Sequence, residues 1–198
     1  MAGRYEKPRR QQVGHLSYTK NLPGVADVFL RDPGLYAPLL QFIEGVMTRP
    51  SQLGKAEREM IAAHVSRRNG CGFCVGAHHW TLVAMGVDAE TMDALDALAA
   101  GDGEGLSSGL RALLRFADRL TERPDEIGQE DVNALMAVGW SEQAVEDAVN
   151  VVALFNYVNR LVDALGIEAG EPYFRQIGKV IATDGYAPLI ETALKRAG

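Results

Sequence analysis

Apolar residues recur three and four positions apart along most of this 198-residue chain. The segment after Ser108 is typical, with Leu110, Leu113, Leu114 and Ala117 at that spacing. Such spacing gathers side chains on one face of an α-helix. Alternating apolar and polar positions bounded by hairpin turns, which indicate half-buried strands, are hard to find. The sequence therefore predicts an all-α fold.

Capping residues and glycines divide this pattern into successive helices. Ser51 is predicted as the N-cap of a helix that ends at Asn69-Gly70, because both of those last residues tolerate left-handed backbone angles. The next helix is predicted to begin at or just before Cys71 and to run to Gly86. Another helix is predicted to start after Asp32-Pro33 and to stop before Pro50. Further helices are predicted from a cap at Asp88 to near Gly101, from Ser107 or Ser108 past Leu120, and over 129–138, 141–165, 172–182 and 187–196.

The chain is long enough to bury a core without disulfides, and no linker rich in Gly, Ser or Pro divides it. We therefore expect one helical domain over residues 26–198, with an irregular arm over residues 1–25. Four glycines are predicted to form a surface loop and not a phosphate site, since no strand precedes them. They are Gly101, Gly103, Gly105 and Gly109.

The net charge is −6, from 20 Lys and Arg against 26 Asp and Glu. This acidic balance argues against nucleic acid or an anionic membrane as the main partner. The basic run from Lys7 to Arg10 is interpreted as part of a solvated arm. The first thirty residues lack a secretory signal and no segment is apolar enough to span a membrane, so we expect a cytoplasmic protein.

Only two cysteines occur, Cys71 and Cys74, which excludes a disulfide scaffold and leaves metal binding or redox chemistry. At about 100° per residue, these cysteines and His78 lie on one stripe of a helix. The spacing of Cys74 and His78 would let the imidazole take the thiol proton. Cys71 would lie in the first turn, where free N–H groups favour a thiolate. The pair could also close a disulfide that resolves a sulfenic acid.

Other uses of these residues are less favoured by the pattern. A zinc knuckle would need a cysteine where the chain has Ala84, and covalent haem would need a histidine where it has Val75. A thioredoxin-type site would need a preceding strand. Simple packing of two small thiols remains possible, although chemistry is favoured. His64 is interpreted as a core histidine with a satisfied partner, and His79 as a structural or surface residue.

The segment from residue 55 to 86, KAEREMIAAHVSRRNGCGFCVGAHHWTLVAMG, resembles the core motif of the AhpD-like alkylhydroperoxidases, within the carboxymuconolactone decarboxylase superfamily. The motif is a glutamate twelve positions before C-x-x-C-x-x-x-H, here Glu59, Cys71, Cys74 and His78. The likeness extends over about residues 30–170 to longer members called peroxidase-related proteins. It implies an all-helical fold and homo-oligomers built from dimers, often hexamers.

The resemblance also implies a mechanism. Cys74 would attack the peroxide, Cys71 would resolve the sulfenic acid as a Cys71–Cys74 disulfide, His78 would deprotonate Cys74, and Glu59 would be the relay carboxylate. Substrates would be hydrogen peroxide or small organic hydroperoxides, with no metal or organic cofactor. The reductant would be a dithiol, with a lipoylated carrier protein or a thioredoxin-like protein as candidates.

Residue patterns alone give a different expectation for Glu59. A glutamate in a helix that also carries Lys55, Glu57 and Arg58 is ordinarily solvated.

Some peroxidases of the family have a histidine between the cysteines. This chain has Phe73 there, which is predicted as a wall of the core or of a peroxide pocket. Two alternatives stay open: a non-redox lyase or hydrolase of the lactone decarboxylase type, and a non-enzymatic redox sensor. The lactone decarboxylases lack the paired cysteines.

Overall fold

The structure is a computed structural model that describes residues 14–99 and 104–197. This part of the chain forms ten α-helices and a 3₁₀ turn at Pro124–Glu126, and it contains no strand. The helices are α1 Val25–Arg31, α2 Pro33–Thr48, α3 Lys55–Asn69, α4 Gly72–Ala84, α5 Ala89–Ala99, α6 Ser108–Glu122, α7 Gln129–Ala137, α8 Glu142–Leu165, α9 Glu171–Asp184 and α10 Ala187–Ala197. The prediction of an all-α fold is confirmed.

Two helix starts differ from the sequence prediction. The seven-residue helix α1 was not predicted as a separate element, because two turns are too short to show a clear periodicity. The start of α3 is Lys55 with Gly54 at the N-cap, so the assignment of Ser51 as the cap is wrong. The Ser51 hydroxyl instead accepts hydrogen bonds from Leu53 N and Arg58 Nη2 at 3.1 and 2.8 Å, within the preceding loop.

Some sequence predictions concern residues that are not described. The basic run Lys7 to Arg10 and the loop glycines Gly101 and Gly103 lie outside the described residues. Residues 14–24, within the predicted arm, form turns and bends before α1. Among the described helices, none combines the length and the apolar character needed to cross a lipid bilayer.

Helix α3 is the central helix of the domain. It packs against α4, α6 and α8, and also touches α2 and α5, so every residue from Arg58 to Ser66 is buried. A helix that other helices surround has no face exposed to solvent, so its polar residues do not gather on one side. Its charged side chains must therefore find partners inside the protein.

Helices α4 and α9 cross at a very short distance because each has a glycine at the crossing. A Cβ atom on Gly178 would lie 2.6 Å from the carbonyl carbon of Trp80, and one on Gly76 would lie 2.6 Å from the Phe174 ring. The close approach brings the Phe73 ring against Tyr173 and Phe174, with ring centroids 5.9 and 5.4 Å apart. Helix α9 thus becomes a wall beside the Cys-containing helix.

Gly178→Ala is expected to destabilise the protein, although alanine is the better helix former by about 1 kcal/mol. The added methyl group meets backbone atoms of Trp80 and Thr81, which cannot turn aside, and such overpacking costs about 1–3 kcal/mol. Urea denaturation measures the change. Gly45→Ala is the control, since no atom beyond its chain neighbours and the nearby backbone of its own helix lies within 4 Å of its Cβ position, and it should stabilise the protein. Equal effects of the two variants would contradict the close crossing.

Candidate active site

The turn between α3 and α4 sets the position of the first cysteine. Gly70 ends α3 in the left-handed conformation with φ of 73°, as its predicted role requires. The Cys71 N–H donates to Ser66 O at 3.0 Å, so Cys71 lies at the N-cap of α4, one position before the first turn. The asparagine of the predicted Asn69-Gly70 break therefore ends one helix while Cys71 opens the next.

Side-chain amides fix this turn onto α8. Asn69 Nδ2 donates to Asn159 Oδ1 at 2.8 Å and to Asn156 Oδ1 at 3.1 Å. The amide of Asn159, which is fully buried, donates in turn to Ser66 Oγ at 3.0 Å. Since buried amides are costly to leave unpaired, this network holds the residues on either side of the turn in one arrangement.

The two cysteines are buried, free and in direct contact. The Cys71 thiol donates to Cys74 Sγ with the sulfur atoms 3.0 Å apart. This hydrogen bond, followed by burial, raises the pKa of Cys71 far above its ordinary value. Cys71 therefore keeps its proton, and Cys74 is the sulfur that accepts a hydrogen bond, which is the arrangement that a thiolate at Cys74 would need.

A buried carboxylate and imidazole lie beside the dithiol. His78 Nδ1–H donates to Glu59 Oε2 at 2.6 Å, and the two residues are 4% and 2% exposed. Because a carboxylate can only accept, the proton of neutral His78 is assigned to Nδ1, which leaves Nε2 as the basic nitrogen. The edge of the imidazole packs against Phe155, with ring centroids 4.4 Å apart. The arrangement is that of a general base oriented by a carboxylate.

Glu59 is thus buried, and the expectation from residue patterns that it is solvated is wrong. The physical reason is the central position of α3, which faces other helices on all sides. The four predicted site residues form two hydrogen-bonded pairs, Cys71 with Cys74 and Glu59 with His78, and Cys74 and His78 line the same cavity. Their catalytic roles stay a prediction.

Cys74 and His78 open onto a cavity of about 370 Å³ whose walls are mainly apolar. Ligand pockets of this size and character are common for small organic molecules. The other residues that line it are Val25, Ala26, Phe29, Ile43, Phe73, Ala77, Phe155, Val158, Tyr173, Gln176, Ile177, Val180, Ile181, Gly185, Tyr186, Pro188, Leu189 and Thr192. Phe73, which departs from the C-x-H-C pattern, is one of these walls, and Cys71 is fully buried behind Cys74.

A buried arginine immediately before Glu59 holds the start of α3. The Arg58 guanidinium is 1% exposed and donates to Val46 O at 2.5 Å and to Leu53 O at 3.0 Å. Its Nη2 also lies 2.7 Å from Asp147 Oδ2 of α8. We call Arg58 and Asp147 the arginine clamp; it joins the end of α2, the loop before α3, and α8.

Electrostatics of the clamp favour the ionised pair. Burial opposes ionisation of Asp147, but its interactions with Ser51 and Arg58 together with the charge of Arg49 lower the pKa of this carboxyl group. Arg49 Nη2 lies 2.9 Å from Asp147 Oδ1. Sequence patterns missed this clamp because a charged residue in a helix is ordinarily solvated, and no local signal distinguishes the exception.

The remaining histidines have structural surroundings. His64 is fully buried and its Nε2 lies 2.8 Å from Asp118 Oδ1, in agreement with a core histidine, while its Nδ1 has no hydrogen-bond partner in the described part of the chain. His79 is half-buried against Trp80, and burial lowers its pKa. Within residues 14–99 and 104–197, no group of three or more His, Cys, Asp or Glu side chains is arranged to hold a metal.

Comparisons with known proteins match the segment of the chain that contains this site. The family model described as "Carboxymuconolactone decarboxylase family" matches residues 33–119, which include all four site residues. "Uncharacterized protein YdfG" of Bacillus subtilis (strain 168) is 25% identical over 122 residues, which are 62% of this chain and 82% of that protein.

Two crystal structures are similar over most of the chain. One is an uncharacterized peroxidase-related protein from Ralstonia eutropha JMP134, described as an alkylhydroperoxidase AhpD core, with a TM-score of 0.68 and 24% identity. The other is an uncharacterized peroxidase-related protein from Silicibacter sp. TM1040, with a TM-score of 0.65 and 26% identity. Each match covers 77% of this chain and 79% of the other. The family-model match, the all-α fold and these two neighbours support the resemblance of the chain to the AhpD-like/carboxymuconolactone decarboxylase superfamily.

Proposed function

We propose that this protein is a thiol-dependent peroxidase that reduces hydroperoxides through reversible formation of a Cys71–Cys74 disulfide. The observation that carries the proposal is the arrangement of the two sulfur atoms. Cys74 faces the apolar cavity, and its sulfur accepts a hydrogen bond from the buried Cys71 thiol at 3.0 Å. A reacting sulfur that faces the substrate and a second thiol within reach are what a two-cysteine peroxidase needs.

The reaction begins with transfer of the Cys74 proton to His78, whose imidazolium the Glu59 carboxylate stabilises. The Cys74 thiolate attacks the O–O bond of the hydroperoxide, so that an S–O bond forms, the O–O bond breaks and an alkoxide leaves. The alkoxide takes a proton and becomes the alcohol. Cys71 then attacks the Cys74 sulfenic acid, which forms the disulfide and releases water.

A dithiol reductant must then return two electrons and two protons to the disulfide. We propose a lipoylated carrier protein or a thioredoxin-like protein for this step, in the cytoplasm. We also propose a homo-oligomer built from dimers. Leu35 and Phe42, which are 62% and 52% exposed on one face of α2, support such an assembly.

The cavity favours organic hydroperoxides over hydrogen peroxide. A volume of about 370 Å³ far exceeds the share of about 30 Å³ that a water-sized molecule occupies in a liquid. Walls such as Phe29, Ile177 and Leu189 would stabilise an alkyl group by removing it from water. A small polar peroxide would gain little from them.

Thiol counting tests the proposal. The reduced protein should lose both thiols on reaction with one equivalent of tert-butyl hydroperoxide, with one equivalent of tert-butanol formed. It should remain a single chain on a non-reducing denaturing gel, because the disulfide is intramolecular, and dithiothreitol should restore both thiols. Protein kept in the same buffer without the peroxide is the control. Persistence of both thiols would reject a peroxidase and leave the non-redox alternatives.

A further inference from the structure

The partly buried Tyr186 lines the same cavity as Cys74 and His78 but comes from the opposite end of the chain. It lies between α9 and α10, directly after Gly185, which has a φ of 64°. The Tyr186 N–H donates to Glu44 Oε2 at 2.6 Å, and Thr48 Oγ1 donates to the other oxygen of Glu44 at 3.0 Å. These hydrogen bonds fix the backbone of Tyr186 at the N-terminal end of α10.

The Tyr186 hydroxyl is available to a ligand. Among the described residues, the hydrogen bond of Tyr186 to Glu44 is made by its backbone N–H, and none involves its hydroxyl. The walls of the cavity that Tyr186 lines are mainly apolar. Of the other polar groups of the cavity, Thr192 Oγ1 donates to Pro188 O at 2.9 Å, and the Tyr173 hydroxyl is buried near Gly24 with no hydrogen-bond partner among the described residues. Tyr186 differs from Tyr173 in its neighbours, because Glu59 and Cys74 act on its hydroxyl whereas Asp27 acts on that of Tyr173. A free donor in an apolar cavity beside a nucleophile is suited to bind the polar end of a substrate.

The phenol stays protonated under ordinary conditions. Burial raises the pKa of Tyr186 well above its usual value, and the negative charges of Glu59, Glu44 and Cys74 raise it further. Tyr186 is therefore a hydrogen-bond donor at neutral pH.

We propose that Tyr186 is a further catalytic residue that donates its proton to the alkoxide released from the hydroperoxide, an inference that rests on the proposed peroxidase reaction. As the Cys74 sulfur bonds to the terminal oxygen, the O–O bond breaks and negative charge collects on the other oxygen. Transfer of the phenolic proton to that oxygen gives the alcohol. The protonated His78, which holds the proton first taken from Cys74, returns a proton to the tyrosinate, so the net reaction converts thiol and hydroperoxide to sulfenic acid and alcohol.

The basicity of the leaving group makes the role testable. With tert-butyl hydroperoxide the leaving group is a strongly basic alkoxide that needs a proton. With peracetic acid it is acetate, a base as weak as a glutamate carboxylate with a pKa of about 4.3. Tyr186→Phe should therefore slow oxidation of Cys74 by tert-butyl hydroperoxide about 10²-fold, and change the rate with peracetic acid less than about 3-fold.

Acid quenching followed by intact mass measurement gives both rates in a single turnover. Tyr186→Phe keeps the ring and removes a hydroxyl without a protein partner, so the variant should fold. Tyr36→Phe is the matched control, because the Tyr36 ring packs on Phe29 outside the cavity lining, and both of its rates should equal those of the wild type.

Unchanged rates in Tyr186→Phe would overturn the role of Tyr186, and so would an equal loss with both oxidants, which indicates general damage to the site. These two outcomes leave the peroxidase itself intact, since the wild type still reacts. A wild type that reacts with neither oxidant at Cys74 would instead reject the proposed function and the role of Tyr186 with it.

Discussion

Cys74→Ser is expected to lower the rate of hydroperoxide reduction by roughly 10³–10⁶-fold, the scale on which loss of a nucleophile acts in enzymes. A serine hydroxyl at this position is a much weaker nucleophile than a thiolate, and His78 would have no acidic thiol to deprotonate. Consumption of tert-butyl hydroperoxide with dithiothreitol as reductant measures the loss. Because serine replaces a buried group of similar size, the variant should keep its helical circular dichroism.

Cys71→Ser should behave differently and is the matched comparison. With no reductant present, Cys74 would still be oxidised once, but the sulfenic acid would lack its resolving thiol and would persist without forming a disulfide. Dimedone, which traps sulfenic acids, should then add to Cys74 in this variant. A dimedone adduct on Cys71 in the Cys74→Ser protein would show that the two roles are reversed.

The double variant Cys71→Ser/Cys74→Ser separates redox from non-redox chemistry. A lyase or hydrolase would need only the Glu59–His78 pair, whose contact of 2.6 Å does not depend on sulfur. The proposed peroxidase predicts that the double variant has no activity toward any hydroperoxide. Full turnover of a lactone by the double variant would favour the decarboxylase-type alternative.

Asp147→Ala is expected to lower the free energy of unfolding by about 3–5 kcal/mol. The substitution leaves the Arg58 guanidinium buried without its counter-ion, and the remaining hydrogen bonds to Val46 O and Leu53 O do not neutralise it. Urea denaturation at neutral pH measures the change. The lowered pKa of Asp147 means that the stabilisation is present above the ordinary carboxyl range and is lost as the pH falls through the folded-state pKa.

Glu171→Ala is the control for this prediction, because it also removes a carboxylate paired with an arginine. Its Nε–Oε1 contact with Arg175 is 2.7 Å, the same length as the contact of the clamp, but both side chains are more than half exposed. Surface pairs of this kind contribute about 0–1 kcal/mol. Similar losses in the two variants would show that burial of the clamp does not set its contribution.

Local rules explain why the order of the helices could be predicted. Ser107 and Ser141 accept hydrogen bonds from the N–H groups three residues later, at 3.2 Å in each case, as N-caps should. Gly70 and Gly166 end their helices in left-handed conformations. Ser51 is also a residue type that is typical of N-caps. Its hydroxyl does not cap a helix, because it accepts a hydrogen bond from the buried guanidinium of Arg58 in the loop before α3.

The candidate site could be predicted only in part. Periodicity placed Cys71, Cys74 and His78 on one stripe, since all three are neighbours on or beside α4. Glu59 belongs to another helix, and only the resemblance to a family indicated it. Tyr186 lies beyond the segment of that resemblance, so nothing in the sequence connected it with the cavity.

By itself, the sequence determined the helical class, the succession of helices and the spacing of the dithiol and His78, because these depend on residues a few positions apart. Tertiary structure alone decided that Glu59 and Arg58 are buried, that the cavity is apolar, and that Tyr186 faces it. Those facts depend on which helices surround α3 and how closely α4 and α9 approach at Gly76 and Gly178. Local periodicity carries no information on packing between distant helices, whereas burial and partner choice are set by that packing.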